Sequence, residues 1–423
     1  MPKKEAQLIV EHAKQLITAQ GHRDRPAVGP EMEELGIIED GSIAIANGKI
    51  LSVGKSSELL TEYTAPERID ASGKTVTPGF VDAHTHLVFA GSREIEFELK
   101  IKGAGYMEIL QKGGGILRTV RDTRAASKNE LLQICRERCK NLLLHGTTTA
   151  EAKSGYGLTL NDEVKSLEVI KQLDSEGPIN LIPTFLGAHA VPPEFQGKTG
   201  EYVAAICEEW IPEVAKKQLA SFCDVFCEKG VFEVEDSRKI LLAGKRVGLL
   251  PRIHADEFYP LGGAELAGEV GAVSADHLLY ASAAGLAQMR KGNVIATLMP
   301  AAPLTLMLDK YADARRMISE GIAIALGSDL NPSCWLENHQ LILVLACYKL
   351  RMTPAEALTA ATINAAHSIR KANEIGSIEP GKKADIVVMN APDFRFLAYR
   401  LGLNIVDTVI KNGQITVQNG RLT

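Results

Sequence analysis

No apolar run in this chain reaches the roughly 18 residues that a membrane-spanning helix needs. The opening residues, Met-Pro-Lys-Lys-Glu, lack the apolar segment of a secretory signal. An excess of basic charge is missing too. Lys and Arg number 47 against 52 Asp and Glu, giving a net charge of −5 and a pI near 6.1. That balance offers no electrostatic reason to bind nucleic acid or an anionic membrane. Cysteine is sparse and unpatterned: there are seven, an odd number. Cys223 and Cys227 share a C-x3-C spacing, but no second pair follows to complete a structural zinc site. All seven are expected to be reduced, mostly buried thiols of a cytoplasmic protein, with Cys223 and Cys227 packed in a core. The run Gly113-Gly-Gly115 lacks both the Walker lysine-serine pattern and the dinucleotide-binding spacing. It reads as a flexible loop that closes over a site. Low-complexity tracts and internal repeats are also absent.

The chain has 423 residues, 45% hydrophobic and 23% charged. This is a globular composition, long enough for one large domain and a smaller one. Both ends are β-rich. Near the start, residues 41–54 read as a hairpin around Asn47-Gly48. Near the end, residues 384–389 and 406–417 read as strands, the latter around Asn412-Gly413. Matching ends suggest one composite β-sandwich domain from residues 1–75 and 371–423. Residues 76–370 are then inserted between its halves.

The middle alternates apolar runs with helical stretches. The runs lie near 76–84, 147–152, 179–189, 222–228, 249–254, 272–277, 294–299 and 322–328. Eight βα units predict a closed (β/α)8 TIM barrel, with active-site groups at the C-terminal ends of the strands. Those ends carry His84-Thr-His86, Glu151 to Tyr156, Gly187-Ala-His189, His254-Ala-Asp-Glu257, Asp276-His277 and Ser328-Asp-Leu-Asn331. Five of the ten histidines sit there. One histidine alone is most simply a hydrogen-bonded core residue, but five together at strand ends are not. Residues 76–81 read as the first strand. Residues two apart on a strand face one side, so His84 and His86 can aim two imidazoles at one point. A hydrolytic metal needs that arrangement and an open position for water.

This pattern resembles the metal-dependent amidohydrolase superfamily. The segments Pro78-Gly-Phe-Val-Asp-Ala-His-Thr-His86 and Pro380-Gly-Lys-Lys-Ala-Asp-Ile-Val387 belong to the resemblance, as does the terminal β-domain. Within the superfamily the chain resembles the imidazolonepropionase family over nearly its whole length. The strings that carry this are Gly113 to Ile116, Lys153-Ser-Gly-Tyr-Gly157, Gly187-Ala-His-Ala-Val-Pro192, Asp224 to Gly230, His254-Ala-Asp-Glu257 and Gly327-Ser-Asp-Leu-Asn-Pro332.

The resemblance implies hydrolytic ring opening of 4-imidazolone-5-propanoate to N-formimidoyl-L-glutamate, a step of histidine degradation. It implies one divalent metal, zinc or iron(II), on His84, His86, His254 and Asp329. Binuclear relatives use a bridging group near the fourth strand's end. Here Glu228 and Lys229 lie there, and a structural ion pair is the plainer role for Glu228. Glu257 is the implied general base, or else a substrate hydrogen-bond partner only, with Asp329 sharing proton handling. His277 would polarise the carbonyl or hold hydroxide without ligating the metal. Arg93 suits a bidentate clamp on the substrate carboxylate. Tyr156 can cover the substrate, His189 can donate to it, and Asn331 offers a donor and an acceptor. Ser333 and Cys334 would supply backbone contacts. There the chain departs from the family's small turn, because Trp335 is bulky. Only a small-molecule substrate is implied as partner, with no nucleic acid or membrane, and a homodimer is expected. The alternatives are a related amidohydrolase or deaminase acting on another small heterocycle, and a non-catalytic scaffold barrel. Such scaffolds typically lose metal ligands, and here all four are present.

Overall fold

The computed structural model describes residues 3–103 and 114–423. Eight parallel strands form the central sheet: β1 (Phe80–Asp82), β2 (Thr147–Lys153), β3 (Asn180–Ala188), β4 (Phe222–Cys227), β5 (Leu250–Ala255), β6 (Ser274–His277), β7 (Ile295–Leu298) and β8 (Ile324–Leu326). They pair in chain order. The Ala83 amide donates to Leu326 O at 3.2 Å and the Asp329 amide to His84 O at 3.0 Å, which joins β8 back to β1. Each expected run holds one barrel strand. Most strand positions are buried, as expected of a parallel sheet covered on both faces.

Helices cover the outside by amphipathic spacing. In Leu160–Glu176, Val164, Leu167, Ile170 and Leu173 turn inward, and Thr159 caps the start by accepting from the Asp162 amide at 3.2 Å. In Lys128–Leu144, Ser127 and Glu130 form a reciprocal capping box.

A second sheet of nine strands joins both ends of the chain, from Leu8–Ile17 through Thr75–Pro78 to Ile386–Met389 and Arg421–Leu422. Its apolar core includes Leu8, Ile43, Ile69, Val76, Ile386 and Ile410. Asn47 and Gly48 have φ of 54° and 74°, and Asn412 and Gly413 have 49° and 77°. Positive φ at both central residues marks type I′ hairpins, which explains the Asn-Gly pairs. The two turns abut. A Cβ on Gly413 would lie 2.9 Å from Gly48 Cα, so no larger residue fits.

One expectation fails here. Residues 76–81 are not a single strand. Thr75–Pro78 pairs with Ile386–Met389 in the terminal sheet, whereas Phe80–Asp82 belongs to the barrel. Pro78 has no amide hydrogen to extend the ladder. At Gly79 the chain crosses so close to Thr148 that a Cβ would sit 2.3 Å from its hydroxyl.

All seven cysteines are unpaired and five are buried, Cys223 and Cys227 among them on β4. No described helix is long and apolar enough to cross a membrane. Of the triple glycine, Gly113 lies outside the described residues. Gly115 precedes the helix Ile116–Ala125 with φ 77°, and its amide donates to Glu96 at 2.9 Å.

Candidate metal centre and active site

The backbone stays extended past β1, where Thr85 bridges to Leu330. His84 and His86 therefore share a side. Nε2 of His86 lies 3.3 Å from Nε2 of His84 and 3.3 Å from Nε2 of His254. Oδ1 of Asp329 lies 3.5 Å from Nε2 of both His84 and His86. Ligands about 2.0–2.1 Å from a shared tetrahedral ion stand about 3.4 Å from one another. The separations His84–His86, His86–His254 and Asp329 to His84 and His86 match that spacing, and His84, His86 and Asp329 form one group of possible ligands.

Protonation fits as well. Nδ1 of His84 donates to Asp276 at 2.7 Å, and Nδ1 of His254 donates to Asp224 at 3.1 Å. Each carboxylate holds the proton on Nδ1 and leaves Nε2 bare. Burial pushes the His84 and His86 imidazoles well below their usual range, so they are neutral. Bare nitrogens converging on one buried point suit a cation and little else. The residues present fit a divalent metal.

Beneath the ligands lies a buried charge network. Lys153 donates to Glu151 at 2.9 Å and to Asp224 at 2.8 Å. Arg252 donates to Asp276 at 3.0 Å and to the Ala83 and Ser368 carbonyls, both at 2.9 Å. Burial works against ionised Asp224, but His254 and Lys153 hold its carboxyl well below the usual range. Two cations against three carboxylates leave one negative charge. Ionised Asp329 makes it two, which a divalent ion would neutralise.

Glu257 and His277 stand beside this cluster, with Oε2 3.6 Å from Nε2. Nitrogens of His84, His254 and His277 also converge within 4.8 Å. Burial, then the charges of Asp329 and Glu228, hold the Glu257 carboxyl well above its usual range. His277 has φ 76° and Asp329 φ 53°, conformations that non-glycine residues rarely adopt and that re-aim both side chains. Among the described residues Glu228 makes no ion pair. Its carboxylate accepts from the Lys229 amide at 2.9 Å and the Phe258 amide at 2.8 Å, which pins the turn that carries Glu257.

Two of the remaining expected residues, Tyr156 and His189, lie against His86. The rings of His86 and His189 stack 4.8 Å apart, and Tyr156 lies 5.8 Å from His86 and 5.1 Å from His189. Glu163 holds the Tyr156 loop by accepting from the amides of Gly155, Gly157 and Leu158. Nδ1 of His189 lies 3.0 Å from Gly155 O, and a carbonyl can only accept. Nδ1 therefore carries the proton. Burial pushes this imidazole down to about 3, so it is neutral and its Nε2 accepts rather than donates.

Arg93 donates to Thr119 Oγ1 at 2.8 and 2.9 Å and to Ser333 Oγ at 2.9 Å. Among the described residues it makes no ion pair. Asn331 turns its amide inward. Its oxygen accepts from the Ser333 amide at 2.8 Å and the Cys334 amide at 3.0 Å, and its nitrogen donates to Asp329 O at 2.9 Å. Cys334 is buried beneath the turn, its thiol 3.6 Å from Ser328 O.

Comparison with known proteins agrees with this geometry. Residues 67–168 and 261–416 match the Amidohydrolase family. The chain is 54% identical to an imidazolonepropionase of Brevibacillus brevis, with 98% of each chain covered. It is 51% identical to that of Geobacillus kaustophilus, with 98% of this chain and 99% of the relative covered.

The chain belongs to the imidazolonepropionase family. Among solved structures, Escherichia coli guanine deaminase superposes with a TM-score of 0.74 at 16% identity, covering 97% of this chain and 99% of that one. An adenosine deaminase from Xanthomonas campestris with bound zinc superposes at 0.70 and 18% identity, covering 100% and 95%. These two share the fold.

Several residues of this family member escaped the reading of its sequence. Asp276 and Asp224 orient His84 and His254, Lys153 and Arg252 balance their charge, and Glu163 shapes the Tyr156 loop. A hint was present: Arg252 and Asp224 are lone charges inside runs that must be buried, and a buried charge requires a partner. Their partners lie on other strands, so the hint names a need without naming what meets it.

Proposed function

We propose that this chain hydrolyses 4-imidazolone-5-propanoate to N-formimidoyl-L-glutamate. The supporting observation is the gathering of the Nε2 atoms of His84, His86 and His254 and the Asp329 carboxylate beside the Glu257–His277 pair. It occurs in a chain about half identical to imidazolonepropionases over nearly its full length. His84, His86, His254 and Asp329 would hold a single divalent ion, zinc or iron(II). When bound, the metal supplies Lewis acidity and lowers the pKa of water.

The side chains divide the rest of the work. Glu257 takes a proton from the attacking water and returns it to the leaving ring nitrogen as the amide C–N bond breaks. His277 steadies the carbonyl oxygen. Arg93, braced by Thr119 and Ser333, receives the propanoate. Tyr156 covers the ring, and His189 accepts from a ring N–H. The cleaved bond lies in a ring, so the product stays in one piece. The same reading carries a cytoplasmic homodimer with no nucleic-acid or membrane partner.

Metal content by elemental analysis should be paired with the decay of imidazolone propionate absorbance, before and after chelation. About one metal per chain with chelator-sensitive decay is the expected outcome. Bound metal without decay would redirect the search to another heterocycle.

A further inference from the structure

Arg138, on the helix Lys128–Leu144, is 3% exposed, yet among the described residues no carboxylate pairs with it. A buried guanidinium with no carboxylate in direct contact is costly unless other groups replace its water, and the charge of Glu337 reaches it only from beyond ion-pair distance. Here two carbonyls and two rings replace the water. Nη1 donates to Leu87 O at 2.7 Å and Phe89 O at 2.9 Å. The guanidinium carbon lies 3.4 Å from the centre of the Phe89 ring and 4.9 Å from that of Trp335. Phe89 meets Trp335 edge to face, 5.0 Å apart at 86°. Trp335 is anchored a second time. Nε1 donates to Glu337 at 3.2 Å, and the other oxygen of Glu337 accepts from Asn141 at 2.7 Å. Asn141 and Arg138 sit three residues apart, on one face of the helix.

These contacts bear on the two ends of a single hydrogen bond. Arg138 holds the carbonyls of residues 87 and 89, just before Arg93. Trp335 closes the tight turn in which Asn331 and Cys334 exchange backbone hydrogen bonds at 3.1 Å, and which presents Ser333 to Arg93. Both halves of the Arg93–Ser333 contact therefore depend on the stack of Phe89, Arg138 and Trp335. We infer that Trp335 is a positioning residue that sets selectivity for a carboxylate-bearing substrate by fixing the Arg93 clamp. The inference rests on the proposed role of Arg93. It gives the bulky residue that departs from the family's turn a task.

Trp335 is 48% exposed, so its variants should fold. Trp335→Ala should raise KM for imidazolone propionate roughly fivefold, about the effect of losing one cation–π contact at a partly exposed site. Turnover and metal content should hold, and Trp335→Phe should recover most of the loss. On the substrate's uncharged propanamide analogue, Trp335→Ala and wild type should behave alike. An unchanged KM, or equal losses on both substrates, would overturn the inference. If wild type opens neither ring, the hydrolase reading fails. The positioning role is then decided by calorimetry with imidazole propanoate and its amide. Wild type should prefer the acid and Trp335→Ala should not, and an equal preference in both overturns it.

Discussion

Oδ2 of Asp276 accepts from Nδ1 of His84 at 2.7 Å and from Nη2 of Arg252 at 3.0 Å. One carboxylate oxygen thus sets the tautomer of His84, a proposed metal ligand, and neutralises a cation buried under the site. Asp276→Asn keeps the shape and removes the charge. Metal affinity should fall about 10- to 100-fold, the usual penalty for losing such an outer partner. Metal retained per chain across a chelator titration measures this. Retention equal to wild type would show that His84 holds its orientation without the carboxylate.

Glu257 lies outside the four-ligand cluster and 3.6 Å from His277, where it can move protons without holding the metal. Glu257→Gln should therefore separate the two functions. Turnover should drop by about 10²- to 10⁴-fold, the range for removing a general acid–base group. Metal content should match wild type. Near-normal turnover would remove Glu257 as the base and leave Asp329 as the candidate.

His189 gives a pH dependence with a definite sign. Its folded value lies at about 3, against an ordinary 6.5. Between the two, the unfolded chain binds a proton that the buried ring refuses. This group's contribution is thus present above about pH 6.5 and is lost as pH falls towards 3. The slope is at most about 1.4 kcal/mol per pH unit. His189→Asn deletes that share, while His84 and His277, shifted the same way, keep theirs. Denaturant unfolding of metal-stripped wild type and variant between pH 4.5 and 7.5 should give a shallower pH slope for the variant. Parallel slopes would mean that His189 takes up its proton within the fold.

What the sequence made legible was local. The i, i+2 spacing of His84 and His86 pointed to one metal, the eight apolar runs to eight strands, and the Asn-Gly pairs to the two hairpins. What it hid was pairing across distance. His84 meets Asp276 from 192 residues away, and nothing in either segment selects the other. The break at Pro78-Gly79 was hidden because Val76 and Val81 are equally apolar although they serve different sheets. For Glu228 a structural ion pair was the plainer expectation, yet its carboxylate accepts from the backbone amides of Lys229 and Phe258. A backbone amide leaves no trace in composition.

Lys153 is fully buried between Glu151 and Asp224, at 2.9 and 2.8 Å. Burial disfavours its charge, but Asp224 and then Glu151 more than offset this, so the ammonium is held protonated. Lys153→Met would leave two carboxylates facing each other in a dry barrel. Breaking a buried pair from one side costs about 3–5 kcal/mol, well above the loss from a surface ion pair. The variant should show a clear fall in denaturant midpoint and weaker metal retention, because Asp224 also orients His254. Adding Glu151→Gln removes one of the stranded charges. The double variant should therefore be less destabilised than the sum of the two single changes. Strict additivity would show that Lys153 and Glu151 act independently despite their contact. The network beneath the metal would then be a set of separate pairs rather than one unit.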